Sequence, residues 1–154
     1  MNVTYRRAVP ADIPAIEQLF AEMLASVGDK GGGGYESGYL DKFFGGGDVI
    51  YVAVSDGDVV GYISVELYPD FVYLDDLSVT ERFRGKGIGT KLIKFAERYA
   101  ADSNVPMTSL HVERSNTAAR YLYQRLGYAV SGEEDDRFRM TKHIRKGQTD
   151  VLYR

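Results

Sequence analysis

Between Val79 and Ile88 the chain changes its hydrophobic period, and a glycine-rich basic loop carries the change. Val49–Ser55, Asp58–Tyr68 and Phe71–Val79 are runs of strand length rich in Val, Ile and Tyr. From Ile88 onward the apolar residues Ile88, Leu92, Phe95, Ala96 and Tyr99 fall on one helical face. The link is Arg84-Gly85-Lys86-Gly87-Ile88-Gly89. A strand joined to a helix by such a loop needs a sheet covered by helices. It also presents successive backbone N–H groups at the positive end of a helix dipole, where a phosphate is stabilised. Arg84 and Lys86 add charge at the mouth. The loop lacks the Gly-Lys-Ser/Thr ending of a nucleotide P-loop and the early position of a dinucleotide fingerprint. A tight strand-to-helix connection with solvated cations is the other reading of the spacing.

The charge distribution supports a compact anionic ligand. Net charge is −3, yet Arg82 to Lys94 holds five basic side chains and no acid. A sequence pI of about 5.4 speaks against the broad basic face of a nucleic-acid binder. Cysteine is absent, which excludes disulfides, thiolate catalysis and cysteine-ligated metal. Two histidines, His111 and His143, make a histidine-rich metal site poorly supported. With 154 residues, 44% hydrophobic and 27% charged, the expectation is one domain over residues 1–154. No apolar run reaches the roughly 18 residues of a membrane span, and the N-terminal segment lacks a signal-peptide layout. A cytoplasmic protein with no membrane and no nucleic-acid partner is expected.

The remaining elements read as a mixed order of strands and helices. Val3–Ala8 is a first strand. Asp12 is expected as N-cap of a helix that tolerates Pro14 in its first turn and carries Ile13, Ile16, Phe20, Met23 and Val27 on one face. Residues 28–47 are glycine-rich and bracket an apolar segment, Tyr35–Phe44, with helical character. Asp56-Gly57 joins two strand-like runs and signals a hairpin, since both turn residues need positive φ. Met107–Val112 is a strand, Asn116–Leu126 a helix, and Tyr128–Val130 with Arg137–Ile144 a last pair of strands. An antiparallel meander thus precedes the long helix and a crossover follows it.

Two separated motifs resemble the GCN5-related N-acetyltransferase (GNAT) family. Its Arg/Gln-x-x-Gly-x-Gly/Ala signature is matched by Arg84, Gly87 and Gly89. Its second signature is matched by Asn116-x-x-Ala119, Leu122-Tyr123 and Leu126-Gly127-Tyr128. Together they cover roughly residues 72–130. The resemblance implies an α/β fold with a mixed, mostly antiparallel sheet, splayed between its fourth and fifth strands and flanked by helices. It implies acetyl-coenzyme A, with coenzyme A as product, bound in that gap. The pyrophosphate would lie on Arg84, Gly85, Lys86, Gly87, Ile88, Gly89 and Thr90, and the pantetheine arm along Leu77, Ser78 and Val79. Asn116 would contact the arm, and Tyr123 would stand near the thioester sulfur; the residues by themselves also read Asn116 as the N-cap of its helix. Dimers are common among such proteins, so a homodimer is compatible with the likeness.

Amide formation from a thioester needs a neutral amine, a polarised carbonyl and a protonated leaving thiolate. Tyrosine, with a reference pKa of about 10, is protonated at neutral pH and can donate to the thiolate. Direct transfer needs no enzyme nucleophile, consistent with a chain lacking cysteine. For the base, Asp75 is the first choice and Asp76 the second, because Leu74-Asp75-Asp76-Leu77 is similar to the acidic pair of diamine acetyltransferases. A regular pleat would point the two to opposite faces, whereas a bulge would change both. Glu66 and Glu113 match no motif position. His111 reads as a structural histidine, and Glu133-Glu134-Asp135-Asp136 as a solvated turn. The expected activity is acetyl transfer to a primary amine on a small cationic molecule. The alternatives are a non-catalytic acyl-CoA sensor, or acetylation of a protein N-terminus or lysine. The glycine-flanked segment would shape the acceptor side.

Overall fold

The seven strands of the computed structural model form one sheet in the order β1-β2-β3-β4-β5-β7-β6; the model describes residues 2–26 and 38–145. The strands are β1 Thr4–Arg7, β2 Val49–Ser55, β3 Asp58–Leu67, β4 Val72–Val79, β5 Met107–Glu113, β6 Ala129–Glu133 and β7 Arg137–His143. The helices are α1 Ile13–Ser26, α2 Ile88–Asp102 and α3 Thr117–Arg125. Every adjacent pair is antiparallel except β4 with β5, which is parallel. That single parallel pair follows from the crossover through α2, because parallel neighbours need a long connection. The mixed, mostly antiparallel fold expected from the sequence is therefore the one observed.

Local chemistry explains the connections. Asp56 and Gly57 adopt φ of 50° and 82°, the left-handed pair that a two-residue hairpin requires. α2 begins where alternation stops, and its buried residues Ile88, Leu92, Ile93, Ala96 and Ala100 recur at helical spacing. They pack on one face of the sheet with Ile63, Val65, Leu74, Leu110 and Met140. Ile16 and Leu19 of α1 cover the other face with Ile50, Val52 and Tyr62, joined by Leu40 and Phe43 from a 3-10 turn at Tyr39–Phe44. Each buried Leu, Ile or Phe contributes about 1.5–3 kcal/mol of transfer free energy, so both layers hold the sheet.

Two local expectations are corrected. Asp12 is not the cap of the downstream helix. It ends a 3-10 turn, accepts the Val9 N–H at 2.8 Å, and takes two hydrogen bonds from Arg6 at 2.7 and 3.0 Å. A guanidinium within reach outcompetes the helix amides for the carboxylate. The acidic run that begins at the end of β6 is not simply solvated: Glu133 pairs with Arg114, and Glu134 with Arg137. Tyr35 and Gly31–Gly34 lie outside the described residues, as does Val27.

Candidate active site

β4 and β5 pair only at Val72↔Thr108 and Tyr73↔Ser109. Beyond those two residues the strands diverge, and the inner edge of β4 has no β5 partner. The opening holds a cavity of about 170 Å³ lined by Leu74, Asp75, Asp76, Leu77, His111 and Tyr123, with Met23 from α1 beside them.

Asp75 and Asp76 share this wall because β4 carries a bulge. Ile63 pairs with Leu77 while Val65 pairs with Leu74, so β4 spends one residue more than β3. Leu74 and Leu77 both pack toward the α2 layer, which leaves the two aspartates between them opposite Ser64 alone. Two residues facing one is the geometry of a bulge, and it cancels the alternation of a regular strand. Buried Ser64 fixes the kink by accepting the Asp76 N–H at 3.0 Å on its hydroxyl.

The carboxylates sit in a strongly biased field. Burial first, then the neighbouring Asp76 and Glu66, push Asp75 up to about 6, while the Tyr39 hydroxyl and Lys42 draw it down. Tyr39 donates to Asp75 Oδ2 at 3.2 Å. Tyr73 and Asp75, two residues apart, share a face with Glu66, the register partner of Tyr73. Tyr73 is hydrogen-bonded to His111 Nδ1 at 2.6 Å, and burial and then Asp75 push its phenol up to about 12. His111 Nε2 approaches Glu134 Oε2 at 2.7 Å, outside the direction of a hydrogen bond. Burial and Arg137 lower the imidazole pKa, and Glu134 opposes them. His111 and Tyr73 are thus next to the acidic wall. The register that joins them links residues far apart in sequence, so no local pattern announced the pair.

Tyr123 reaches the cavity from α3, on the opposite side of the splay. Burial raises its pKa, its ring meets Tyr128 edge-on with centroids 6.1 Å apart, and its hydroxyl has no hydrogen-bond partner among the described residues. Tyr128 is clamped in turn, its N–H donating to the Tyr123 carbonyl at 2.9 Å and its hydroxyl to Glu97 at 2.9 Å.

The glycine loop lies at the other end of β4. Gly87 precedes α2 with φ of 83° and no side-chain cap, and Gly85 has φ of 74°. A helix whose first N–H groups lack a cap offers them to an anion. A second cavity of about 260 Å³ opens on them, lined by Val79, Arg84, Gly85, Gly87, Ile88, Gly89, Thr90 and Leu122. The Arg84 guanidinium donates to the Val79 carbonyl at 2.9 Å, which ties the loop to the strand end. These groups fit a diphosphate: uncapped donors, added cations and glycines that leave open space. The Ile88 side chain is buried in the core, so only its backbone is available.

The other candidates lie apart from the cavities. Ser78 is buried and directs its hydroxyl to the Leu19 carbonyl at 3.4 Å. Lys86 is exposed. Asn116 caps α3, its side chain accepting the Ala119 N–H at 3.1 Å, and it lines neither cavity. Among the described residues no group of His, Cys, Asp or Glu could hold a metal ion.

Comparison with known proteins gives the arrangement a lineage. Residues 15–128 match the acetyltransferase (GNAT) family model. YhfO of Bacillus subtilis, an uncharacterized N-acetyltransferase, is 32% identical over 90% of this chain and 93% of its own. An uncharacterized N-acetyltransferase of Methanocaldococcus jannaschii is 37% identical over 66% of this chain, which spans 62% of that relative. The spermine/spermidine N(1)-acetyltransferase of Bacillus subtilis is 33% identical over 52% of this chain and 59% of its own. Among solved structures, the PaiA N-acetyltransferase of Thermoplasma acidophilum, in complex with coenzyme A, superposes with a TM-score of 0.75. It covers 93% of this chain and 99% of its own at 17% identity, a likeness of fold. With two sequence signatures, a splayed sheet and an uncapped glycine-led helix in one domain-length match, the chain belongs to the acetyltransferase (GNAT) family, whose donor is acetyl-coenzyme A.

Proposed function

We propose that this protein transfers acetyl directly from acetyl-coenzyme A to the primary amine of a small cationic molecule, in a single catalytic domain. The observation that carries the reading is the bulge, which sets Asp75 and Asp76 on one wall of the splay with Tyr123 on the same cavity. A paired carboxylate wall attracts an ammonium, and a buried carboxyl pushed up to about 6 is a better proton acceptor than a free one. The similarity to a spermine/spermidine acetyltransferase points to the same acceptor class.

The donor supplies a thioester, and the chain does the rest. The loop from Arg84 to Thr90 holds the diphosphate on backbone N–H groups, and the unpaired edge at Leu77, Ser78 and Val79 aligns the arm. Asp75, with Asp76 beside it, holds the incoming ammonium and takes its proton. Tyr123, its pKa raised by burial, stays protonated and donates to the departing sulfur. Asn116 acts by capping α3 and so fixing the turn that presents Tyr123. A second acceptor for the proton is His111, whose lowered pKa keeps the ring neutral and whose Nδ1 is bonded to Tyr73.

Thiol release from acetyl-coenzyme A against monoamines, diamines and peptides with free N-termini tests the assignment. Release with small cationic amines and little with peptides is expected. Release with peptides alone would transfer the acceptor class to proteins, and no release with any amine would contradict catalysis and favour an acyl-CoA sensor. No helix among the described residues is long and apolar enough to cross a membrane. A cytoplasmic location and a homodimer belong to this same proposal, the latter checked by sedimentation.

A further inference from the structure

Lys42 occupies a cation cage made by its own chain. Its ammonium is ion-paired with Glu66 and lies 3.9 Å from Asp48 Oδ2. The ring centroids of Phe43 and Tyr39 are 5.1 and 5.5 Å away. Carboxylates on one side and aromatic faces on the other are the surroundings that bind organic ammonium ions. The Lys42 side chain keeps 39% of its exposure and that of Glu66 only 15%, so the cation sits at the mouth and its main partner inside.

The cage adjoins the acidic wall of the splay. The turn that carries Lys42 also sends Tyr39 to Asp75. Glu66 pairs with Tyr73, two residues from Asp75, and its charge bears on the Asp75 carboxyl. Two carboxylates within electrostatic reach of each other can each hold one ammonium of a short-chain diamine. Lys42 is the cation that bears on Asp75, whereas Arg137 and Arg139 bear on Tyr73 and His111.

We propose that Lys42 is an internal stand-in for a second ammonium: the acceptor is a short-chain diamine or polyamine that sets one nitrogen at Asp75 and the other in the Glu66 cage, displacing Lys42 into solvent. The inference rests on the reading of the splay as an amine-acetylating site. It makes Lys42 and Glu66 specificity determinants. A monoamine leaves Lys42 in place, whereas a diamine binds only the fraction of molecules in which Lys42 has left. If that fraction is a tenth or less, diamine affinity is lowered by about ten-fold or more.

Calorimetric titration of 1,4-diaminobutane and of butylamine onto the coenzyme A complex tests this, using wild type, Lys42→Met and Lys42→Met with Glu66→Gln. Lys42→Gln serves if the Met variant does not fold. Lys42→Met is expected to bind the diamine about ten-fold tighter and butylamine tighter by distinctly less, the loss of the charge being felt at Asp75 by both, and Glu66→Gln to abolish the difference. Equal changes for both amines, or none, would overturn the proposal and leave Lys42 as an ion pair that holds its turn. Acetyl transfer is followed in parallel. Selective diamine binding without transfer would sink the amine-acetylating reading and spare the cage; transfer without a selective effect of Lys42→Met would do the reverse.

Discussion

Burial holds both Asp75 and Tyr123 above their ordinary titration ranges, with like charges adding to it at Asp75 alone, and each has its own test. Asp75 is raised by burial and by two like charges, to about 6, so its charged form predominates only above that pH. In the proposed mechanism kcat/KM therefore falls as pH drops through about 6, and Asp75→Asn removes that limb from the pH–rate profile. A limb retained in the variant would assign it to another group, with His111 the first candidate. The same shift predicts stability. Folding raises the carboxyl above its free value of 3.8, so the fold favours the protonated form. The penalty is absent below about pH 4 and complete above about pH 6. Asp75→Asn should raise Tm at pH 8, with the gap closing in acid, and melts at the two pH values decide it. Tyr123→Phe should lower kcat by about 10²–10⁴-fold with acetyl-coenzyme A affinity little changed. Unaltered turnover would remove the phenol from the mechanism.

At the scale of the element, the β4 bulge controls which side chains meet. Ser64 is its keystone, since its hydroxyl accepts the Asp76 N–H where the regular ladder is broken. Ser64→Ala removes the acceptor of that amide and should cost about 1–3 kcal/mol, read by urea denaturation. An unchanged midpoint would show that other contacts hold the kink. The bulge also marks the limit of what was legible. The Asp56-Gly57 turn, the start of α2 and the cap at Asn116 could be read because each depends on residues within a few positions. The bulge depends on the register of two strands, as does the pairing of Tyr73 with His111. For that reason Asp75 and Asp76 were recognised as candidates while their common wall was not. Asp12 was misread similarly, because its partner Arg6 becomes a neighbour only when β1 and the first turn fold together.

For the whole molecule, the proposed mechanism has the sheet divide the work. In it the α2 side and the glycine loop serve the donor, the α1 side with Tyr39, Glu66 and Asp75 serves the acceptor, and the gap between β4 and β5 joins them. The fold was legible because two sequence signatures fix the loop and the last helix on either side of that gap. The acceptor side was less so, since its turn at Tyr39–Phe44 joins the acidic wall through contacts distant in sequence. The central claim is that acetyl-coenzyme A binds in the gap with its diphosphate on the α2 N-terminus. Gly87 has φ of 83° with open space where a Cβ would stand. Gly87→Asp therefore meets no clash; it adds backbone strain of about 1–2 kcal/mol and a negative charge against the phosphates. The most direct measurement is calorimetric titration of wild type and Gly87→Asp with acetyl-coenzyme A, folding being checked by circular dichroism. The account predicts saturable binding of one equivalent by wild type, weakened about ten-fold or more in a folded variant. No saturable binding by wild type, or equal affinity in the variant, would contradict it.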